Sequence, residues 1–318
     1  MSELQVMSEI AVEDATEVDF SVLKRLNAAW PKRSTLASDI GRLHTDDEFF
    51  DPSVPDYPEH FLPFANHPSW IDAGAEQRQK VLTAAWLVYN QRVITAEEEV
   101  ANPTFQRIAH GTLFGLSGAA LREAAQQAHV DETWHTYMHI LAMRKTGELR
   151  GMDTMPTYPD AVTYRRLVEA RAASSGEDEN EILDFAWTVV SEISINAYLE
   201  LLSNDQDIQP YHSLVTRLHA RDESAHGAVL IEIAKAAYGA MSEQQRRWFV
   251  TALPRALRAF AETDYSVWPI VLSHAGFEDA DAIVAEMKNY PGNELLVRDF
   301  SGLTRLGRAL HIEIEFPE

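Results

Sequence analysis

The sequence contains no cysteine. Disulfides, thiolate metal sites and cysteine nucleophiles are therefore excluded, and any bound metal must be held by nitrogen and oxygen. Long apolar runs are missing too, so no segment reads as a bilayer-spanning helix. The first residues, MSELQVMSEIAVEDATEVDF, are acidic where a secretory leader needs positive charge and too polar to supply its apolar segment. A cytoplasmic protein is the expectation. Positive charge is scarce: 27 Lys and Arg stand against 49 Asp and Glu, for a net charge of −22, and no basic cluster is dense enough to offset it. Nucleic acid and anionic membrane surfaces are poor partners for such a chain.

What is present is helix-forming sequence. With 46% hydrophobic residues over 318 positions, the chain can bury one sizeable core. We read an acidic, flexible tail over 1–18 and a single domain over 19–318. Up to about residue 72, prolines break the chain repeatedly, as in DPSVPDYPEHFLPFANHPSW, which reads as a wrapping segment. From about 75 onward, apolar residues recur at three- and four-residue spacing between Pro and Gly punctuation. This predicts four long helices, at 75–101, 117–147, 178–203 and 210–239. Further helices are expected at 242–273, interrupted near Pro254 and Pro269, and at 278–289, with a short strand in HIEIEF near the C-terminus.

Two of the long helices carry a Glu and a His three apart: Glu132-Thr133-Trp134-His135 and Glu223-Ser224-Ala225-His226. That spacing puts both side chains on one face. Chance alone would give about one such pair here, so the motif by itself is weak. Context strengthens it, because each pair falls on the stripe that should face the core. On one helix the stripe runs Ala128, Glu132, His135, His139, Ala142; on the other, Val215, His219, Glu223, His226, Leu230. Burying carboxylate and imidazole among apolar neighbours is costly unless a cation or a partner compensates. The remaining two helices offer Glu192 and one of Glu97, Glu98 and Glu99 on comparable faces. One Glu from each of two helices and a Glu-x-x-His from each of the other two is the arrangement of dinuclear carboxylate proteins. His219, four residues before Glu223, adds a further nitrogen. Oxygen-rich sites with a few imidazoles suit iron or manganese. An ordinary buried ion-pair network is the bland alternative, disfavoured because several carboxylates sharing a core without a cation repel one another. His139 reads as a core or supporting histidine. Asp131 and Asp222, each preceding a ligand Glu, could reach across to orient an imidazole on the neighbouring helix.

The stretches VDETWHTYMHILA, VTYRRL, IQPYHSLVTRLHARDESAHG, EQQRR and LVRDFSG resemble the p-aminobenzoate N-oxygenase family, from about residue 20 to 318. The resemblance implies an all-α fold with a ferritin-like four-helix-bundle core and additional helices. It implies two iron ions on Glu97, Glu132, His135, Glu192, His219, Glu223 and His226, with Glu97 selected from its triplet. Of these, Glu132, Glu223 and His219 are expected to bear most directly on catalysis. By the same resemblance a substrate carboxylate is held by Tyr89, Asn196 and Arg298. Tyr89 and Asn196, by helical spacing from Glu97 and Glu192, should point to a cavity beside the metals. Tyr198 stands where close relatives carry an aliphatic residue and would narrow or polarise that pocket, and Phe260 is a candidate aromatic wall.

The activity so implied is O2-dependent oxidation of an aromatic amine to a hydroxylamine and on to a nitro compound, as in secondary metabolism. An external reductase would supply electrons, and a homodimer is expected. A di-iron hydroxylase, or an N-oxygenase of a different amine, would share the whole metal template and differ only in products. A ferritin-like iron store would hold many irons in a cage, and a dimanganese catalase would act on peroxide alone.

Overall fold

Helix boundaries fall where the sequence supplies punctuation. The computed structural model describes residues 20–38, 50–152 and 156–317; the tail expected over 1–18 lies outside them. In chain order the helices are α1 (Ser21–Arg33), α2 (Thr35–Ser38), α3 (Pro68–Ile71), α4 (Ala75–Thr95), α5 (Asn102–His110), α6 (Ala119–Leu149) and α7 (Val162–Ala172). They continue with α8 (Glu177–Ser203), α9 (Pro210–Ala240), α10 (Glu243–Ala261), α11 (Trp268–His274), α12 (Ala280–Lys288) and α13 (Ser301–Leu310). α5 stops at Gly111, which takes the left-handed conformation (φ 70°) that a side chain would disfavour. α9 opens on Pro210, whose missing N–H falls where a helix has no use for it. At α10, Ser242 and Gln245 form a reciprocal capping box.

The expected long helices are present with two revisions. The first does not stop before Asn102-Pro103: α4 passes into a π-helical turn, Ala96–Ala101, and continues directly as α5, with Pro103 in its first turn. The segment near 242–273 is not broken at Pro254, which α10 absorbs; the break falls at Ala261, and Pro269 sits in the first turn of α11. The strand expected in HIEIEF does not form. Residues 312–317 lack regular structure, and the described residues contain no strand, only an isolated antiparallel bridge between Glu262 and Leu295. With no second run to pair with, alternation alone leaves backbone groups unsatisfied. The wrapping segment also holds more helix than its prolines suggested, because α1 tolerates Pro31 within its last turn.

α4 with its π turn, α6, α8 and α9 form the four-helix core. α8 lies along α9 and α6 packs on both α4 and α9, while α10 and α7 cover α8 from outside. α1 lies across α6 and α9, and α13 across α8 and α9. The protein is all-α, and its core is that of a ferritin-like bundle. Trp86, Trp187, Tyr89, Phe105 and Phe185 are fully buried in it. At its centre the apolar packing gives way to a layer of carboxylates and imidazoles.

Candidate metal centre

Each core helix delivers its carboxylate inward for a local reason. On α6 and α9 the three-residue spacing suffices: Glu132, His135, Glu223 and His226 are at most 2% exposed. At the end of α4 the π turn decides. It buries Glu97 (2% exposed) while leaving Glu98 and Glu99 exposed, so of the three only Glu97 faces the cluster. π turns of this kind recur at functional sites because they rotate one residue out of α register. Glu192 is buried on α8.

Two overlapping sets converge: Glu97, Glu132, His135, His219 and Glu223 offer ligand atoms within 4.8 Å of one another, and so do Glu132, Glu192, Glu223 and His226. Glu132 and Glu223 belong to both, which is where two adjacent cations would share ligands. His135 Nδ1 lies 3.1 Å from Glu132 Oε2 and 3.2 Å from Glu223 Oε1. His226 Nδ1 lies 2.5 Å from Glu132 Oε1 and 3.2 Å from Glu223 Oε1. His219 Nε2 lies 3.1 Å from Glu223 Oε1 and 3.3 Å from Glu97 Oε1.

The outward nitrogens of these rings are spoken for. Asp222 Oδ2 sits 3.2 Å from His135 Nε2, and Asp131 Oδ2 sits 3.2 Å from His226 Nε2. Each carboxylate accepts the Nε2 proton and turns Nδ1 toward the cluster, where loss of its own proton would free a lone pair for a cation. Asp222 is fixed in turn by the Thr35 backbone N–H, and Asp131 by Trp30 Nε1 and Ser34 Oγ. His219 is oriented by a longer chain. Asn90 donates its amide to the Trp86 carbonyl, so its Oδ1 accepts from His139 Nδ1 at 2.7 Å. His139 Nε2 is then an acceptor for His219 Nδ1–H at 2.9 Å, and His219 Nε2 carries the free lone pair. Burial, with His219 and His135 nearby, holds His139 well below the usual imidazole range, as an acceptor requires.

Ionisation of the cluster is strongly biased. Burial and the neighbouring Glu132 charge push Glu97 well above the usual carboxylate range, and Glu192 is raised in the same way. Burial opposes ionisation of Glu132 and Glu223 as well, yet His226 and His135 hold both below that range. Against the lowering effect of burial, those carboxylates raise His135 and His226. Protons thus offset the negative charge, and they are the protons a cation would displace.

The donor set fits a pair of metals. Glu97 Oε2, Glu192 Oε2 and Glu223 Oε2 are buried without a hydrogen-bond partner among the described residues. An orphaned buried carboxylate oxygen costs free energy unless something positive meets it. Four carboxylates and three imidazoles with inward-facing nitrogens provide ligands whose charge two divalent cations would balance once the cluster's protons leave.

Beside the bundle lies a cavity of about 480 Å³ lined by Tyr89, Arg92, Tyr158, Tyr198, Asn293 and Arg298, among others. None of the seven candidate ligands lines it. Tyr89 and Tyr198 stack face to face across α4 and α8, ring centroids 4.6 Å apart and 11° from parallel. The Tyr89 hydroxyl is buried and unpartnered. Phe260 is buried edge-on against Tyr198, 6.5 Å between centroids, behind the wall and not in it. Arg298 is exposed at the rim and donates to the Gly292 carbonyl at 2.6 Å. Asn196 is placed differently from the expectation: it does not line the cavity but turns across the α8–α9 junction to Ser224. A residue one turn from Glu192 keeps the stripe but drifts about 40° around the helix, here toward the tightly packed neighbour.

Arg92 was not anticipated. Only 8% exposed, it donates to the backbone carbonyls of Phe260 and Glu262, and its guanidinium lies 5.1 Å from the centre of the Tyr198 ring. No carboxylate pairs with it among the described residues. Its position three residues after Tyr89 on one helical face was the available signal.

The fold and the site together fit the four-helix class of dinuclear-metal carboxylate proteins. The family described as P-aminobenzoate N-oxygenase AurF matches residues 16–310. The 4-aminobenzoate N-oxygenase of Streptomyces thioluteus is 44% identical over 304 residues, covering 94% of this chain and 90% of that protein. The chain belongs to the AurF family of p-aminobenzoate N-oxygenases and is an N-oxygenase enzyme.

Proposed function

We propose that the protein oxidises a carboxylate-bearing aromatic amine of the p-aminobenzoate type, first to the hydroxylamine and then to the nitro compound. It would do so with two irons, O2 and an external electron donor. The observation that carries this reading is the inward nitrogen of each of His135, His219 and His226, held by Asp222, His139 and Asp131 and turned to a cluster of buried Glu oxygens. Glu97, Glu132, His135, Glu192, His219, Glu223 and His226 would hold the metals. Bound there, the irons would supply dioxygen activation and the redox chemistry of oxygen transfer.

The protein's own contribution is to bind, orient and exclude. Arg92 and Arg298 put two guanidinium groups on the cavity that also holds the unpartnered Tyr89 hydroxyl. That set suits a carboxylate through charge-assisted hydrogen bonds. An aromatic ring gripped at its carboxylate presents the para amine at its far end, clear of those charges. The Tyr89–Tyr198 stack, with Phe260 behind it, gives the ring a flat apolar wall. Asn196, bonded to Ser224, stands outside the cavity wall. His219 would add a further neutral nitrogen donor at one metal.

The test is an aerobic assay of the iron-loaded, chemically reduced protein with p-aminobenzoate, following product mass and iron content together. Hydroxylamine or nitro product at about two irons per chain supports the reading. Two irons with no oxidised amine overturns the substrate assignment, and failure to retain iron overturns the metal assignment. No helix among the described residues is long and apolar enough to cross a membrane. A cytoplasmic location is proposed on the acidic, polar N-terminal sequence, and a homodimer on family grounds.

A further inference from the structure

Of the seven candidate ligands, Glu97 alone stands on a π turn, a rare departure from the α-helix on either side of it that something outside the turn must hold. We propose that Thr188 on α8 is that restraint, a positioning residue whose hydroxyl pins the Val100 carbonyl of the turn and so keeps Glu97 at the metals. This rests on the reading of the cluster as a two-metal site.

Thr188 and Thr104 are both buried. Thr188 Oγ1 lies 2.8 Å from the Val100 carbonyl oxygen, 2.8 Å from Thr104 Oγ1 and 2.9 Å from the Asp184 carbonyl oxygen. A hydroxyl has one proton to give. Two of these neighbours are carbonyls and can only accept, so the proton between the two threonines comes from Thr104. That leaves the Thr188 proton to the two carbonyls. The Asp184 contact is the back-bond that threonine makes within its own helix. The Val100 contact joins residues 88 apart and ties two core helices together.

The bond falls where the turn is made. Its ring is closed by the Asn102 N–H on the Glu97 carbonyl, five residues back, and Val100 lies within that ring. Pro103, next in the chain, has no N–H to add. Thr104 belongs to the first turn of α5, so Thr188 touches the helix inside the π turn and just beyond it, fixing the rotation of one against the other. Relaxation of the turn to α would rotate the chain before it by about 100° against the chain after it. Either Glu97, 3.3 Å from His219 Nε2, would leave the cluster, or Phe105 would leave the core. Thr188 also sits one turn before Glu192, so the helix that carries one ligand sets the place of another.

The consequence is asymmetric. Glu97 belongs to the ligand set that holds His135 and His219, whereas Glu192 and His226 belong to the other. Loss of the restraint therefore weakens one metal position and spares its neighbour.

The experiment is anaerobic titration of the iron-free protein with ferrous iron against a competing chelator, with amide hydrogen exchange on the same samples. Wild type and Thr188→Ser, which keeps the hydroxyl, should each bind about two ions tightly. Thr188→Val keeps the shape and removes the hydroxyl. In it one ion should bind within about threefold of wild type and the other about 10–100-fold more weakly. Amides of residues 97–105 should exchange about tenfold faster or more, while those of 132–139 hold their rates. Should Thr188→Val not fold, Thr188→Ala carries the same expectations. Thr104→Val retains the bond to Val100 and should bind both ions within about threefold of wild type. Two tight ions without the Thr188 hydroxyl overturn the proposal. So does equal weakening of both ions, which a general loss of packing would give, and so does selective loss in Thr104→Val. A wild-type protein that binds no pair of cations would instead remove the two-metal reading, and the proposal with it.

Discussion

His139 on α6 and His219 on α9 face each other with Nε2 and Nδ1 2.9 Å apart, and the direction of that bond fixes which nitrogen of His219 can meet a metal. The direction is set further back, by an Asn90 amide that cannot flip without losing the Trp86 carbonyl. His139→Phe removes the acceptor and frees the His219 tautomer. Iron affinity should fall about 10–100-fold, the usual cost of losing a partner that supports a ligand. Competition against a chelator measures this; wild-type affinity in the variant would show that the chain does not govern the site.

Asp222→Ala removes the acceptor that holds His135 Nε2 and leaves the Thr35 N–H without its partner. We expect a loss of iron affinity of about 10–100-fold, with a fall in stability of about 1–3 kcal/mol from the unpaired buried donor. Iron content and urea unfolding of the iron-free protein separate the two effects.

Tyr198→Leu removes one partner of the Tyr89 stack and the ring beneath Arg92. The cavity should widen toward α8, and the variant should lose about 2–4 kcal/mol of stability. Specificity should move with it: kcat/KM for p-aminobenzoate falls, and that for bulkier aromatic amines rises relative to it. An unchanged ratio across an amine series would remove Tyr198 from the specificity determinants.

His212 is the clearest source of acid sensitivity away from the metals. Burial, only partly offset by Asp56, lowers it to about 4 from 6.5. It is stacked on Trp86 at 3.9 Å and bonded to the Asp56 carbonyl and Thr146. Between those two values the unfolded chain takes up a proton that the folded chain refuses. Stability therefore falls as pH drops from about 6.5 to 4 and levels off below, by on the order of 3 kcal/mol. Urea unfolding from pH 7 to 4 should be visibly steeper in pH for wild type than for His212→Gln; parallel curves would refute the assignment.

Gly302 lets α13 approach α8 so closely that an added Cβ would lie 2.5 Å from both the side chain and the carbonyl oxygen of Ile193. That carbonyl cannot yield without moving the helix beside Glu192. Gly302→Ala should cost about 1–3 kcal/mol and also loosen iron retention. Thermal unfolding of the iron-free and iron-loaded forms would show a larger loss in the loaded form.

The helical class and five of the seven candidate ligands follow from spacing, because a period of 3.6 residues makes Glu132 and His135, or His219, Glu223 and His226, neighbours whatever the surroundings. Glu192 needed only the apolar stripe around it. Family resemblance named Glu97, but its isolation from Glu98 and Glu99 depends on a π turn, and no local pattern announces a turn whose stability comes from packing on α6 and α8. The same holds for what surrounds the ligands. Trp30 and Asp131 are 101 residues apart, and Asn90 and His139 are 49 apart, so their hydrogen bonds exist only once the helices have docked. Asn196 shows the limit in the other direction: one turn from Glu192 suggested the cavity, and the close packing of α8 on α9 turned it to Ser224. The sequence by itself determined which side chains share a helical face, because that is geometry within one helix. Only the tertiary structure decided which ring nitrogens face the cluster, where the cavity lies and which charges remain unpaired, because those depend on how separate helices are rotated against one another.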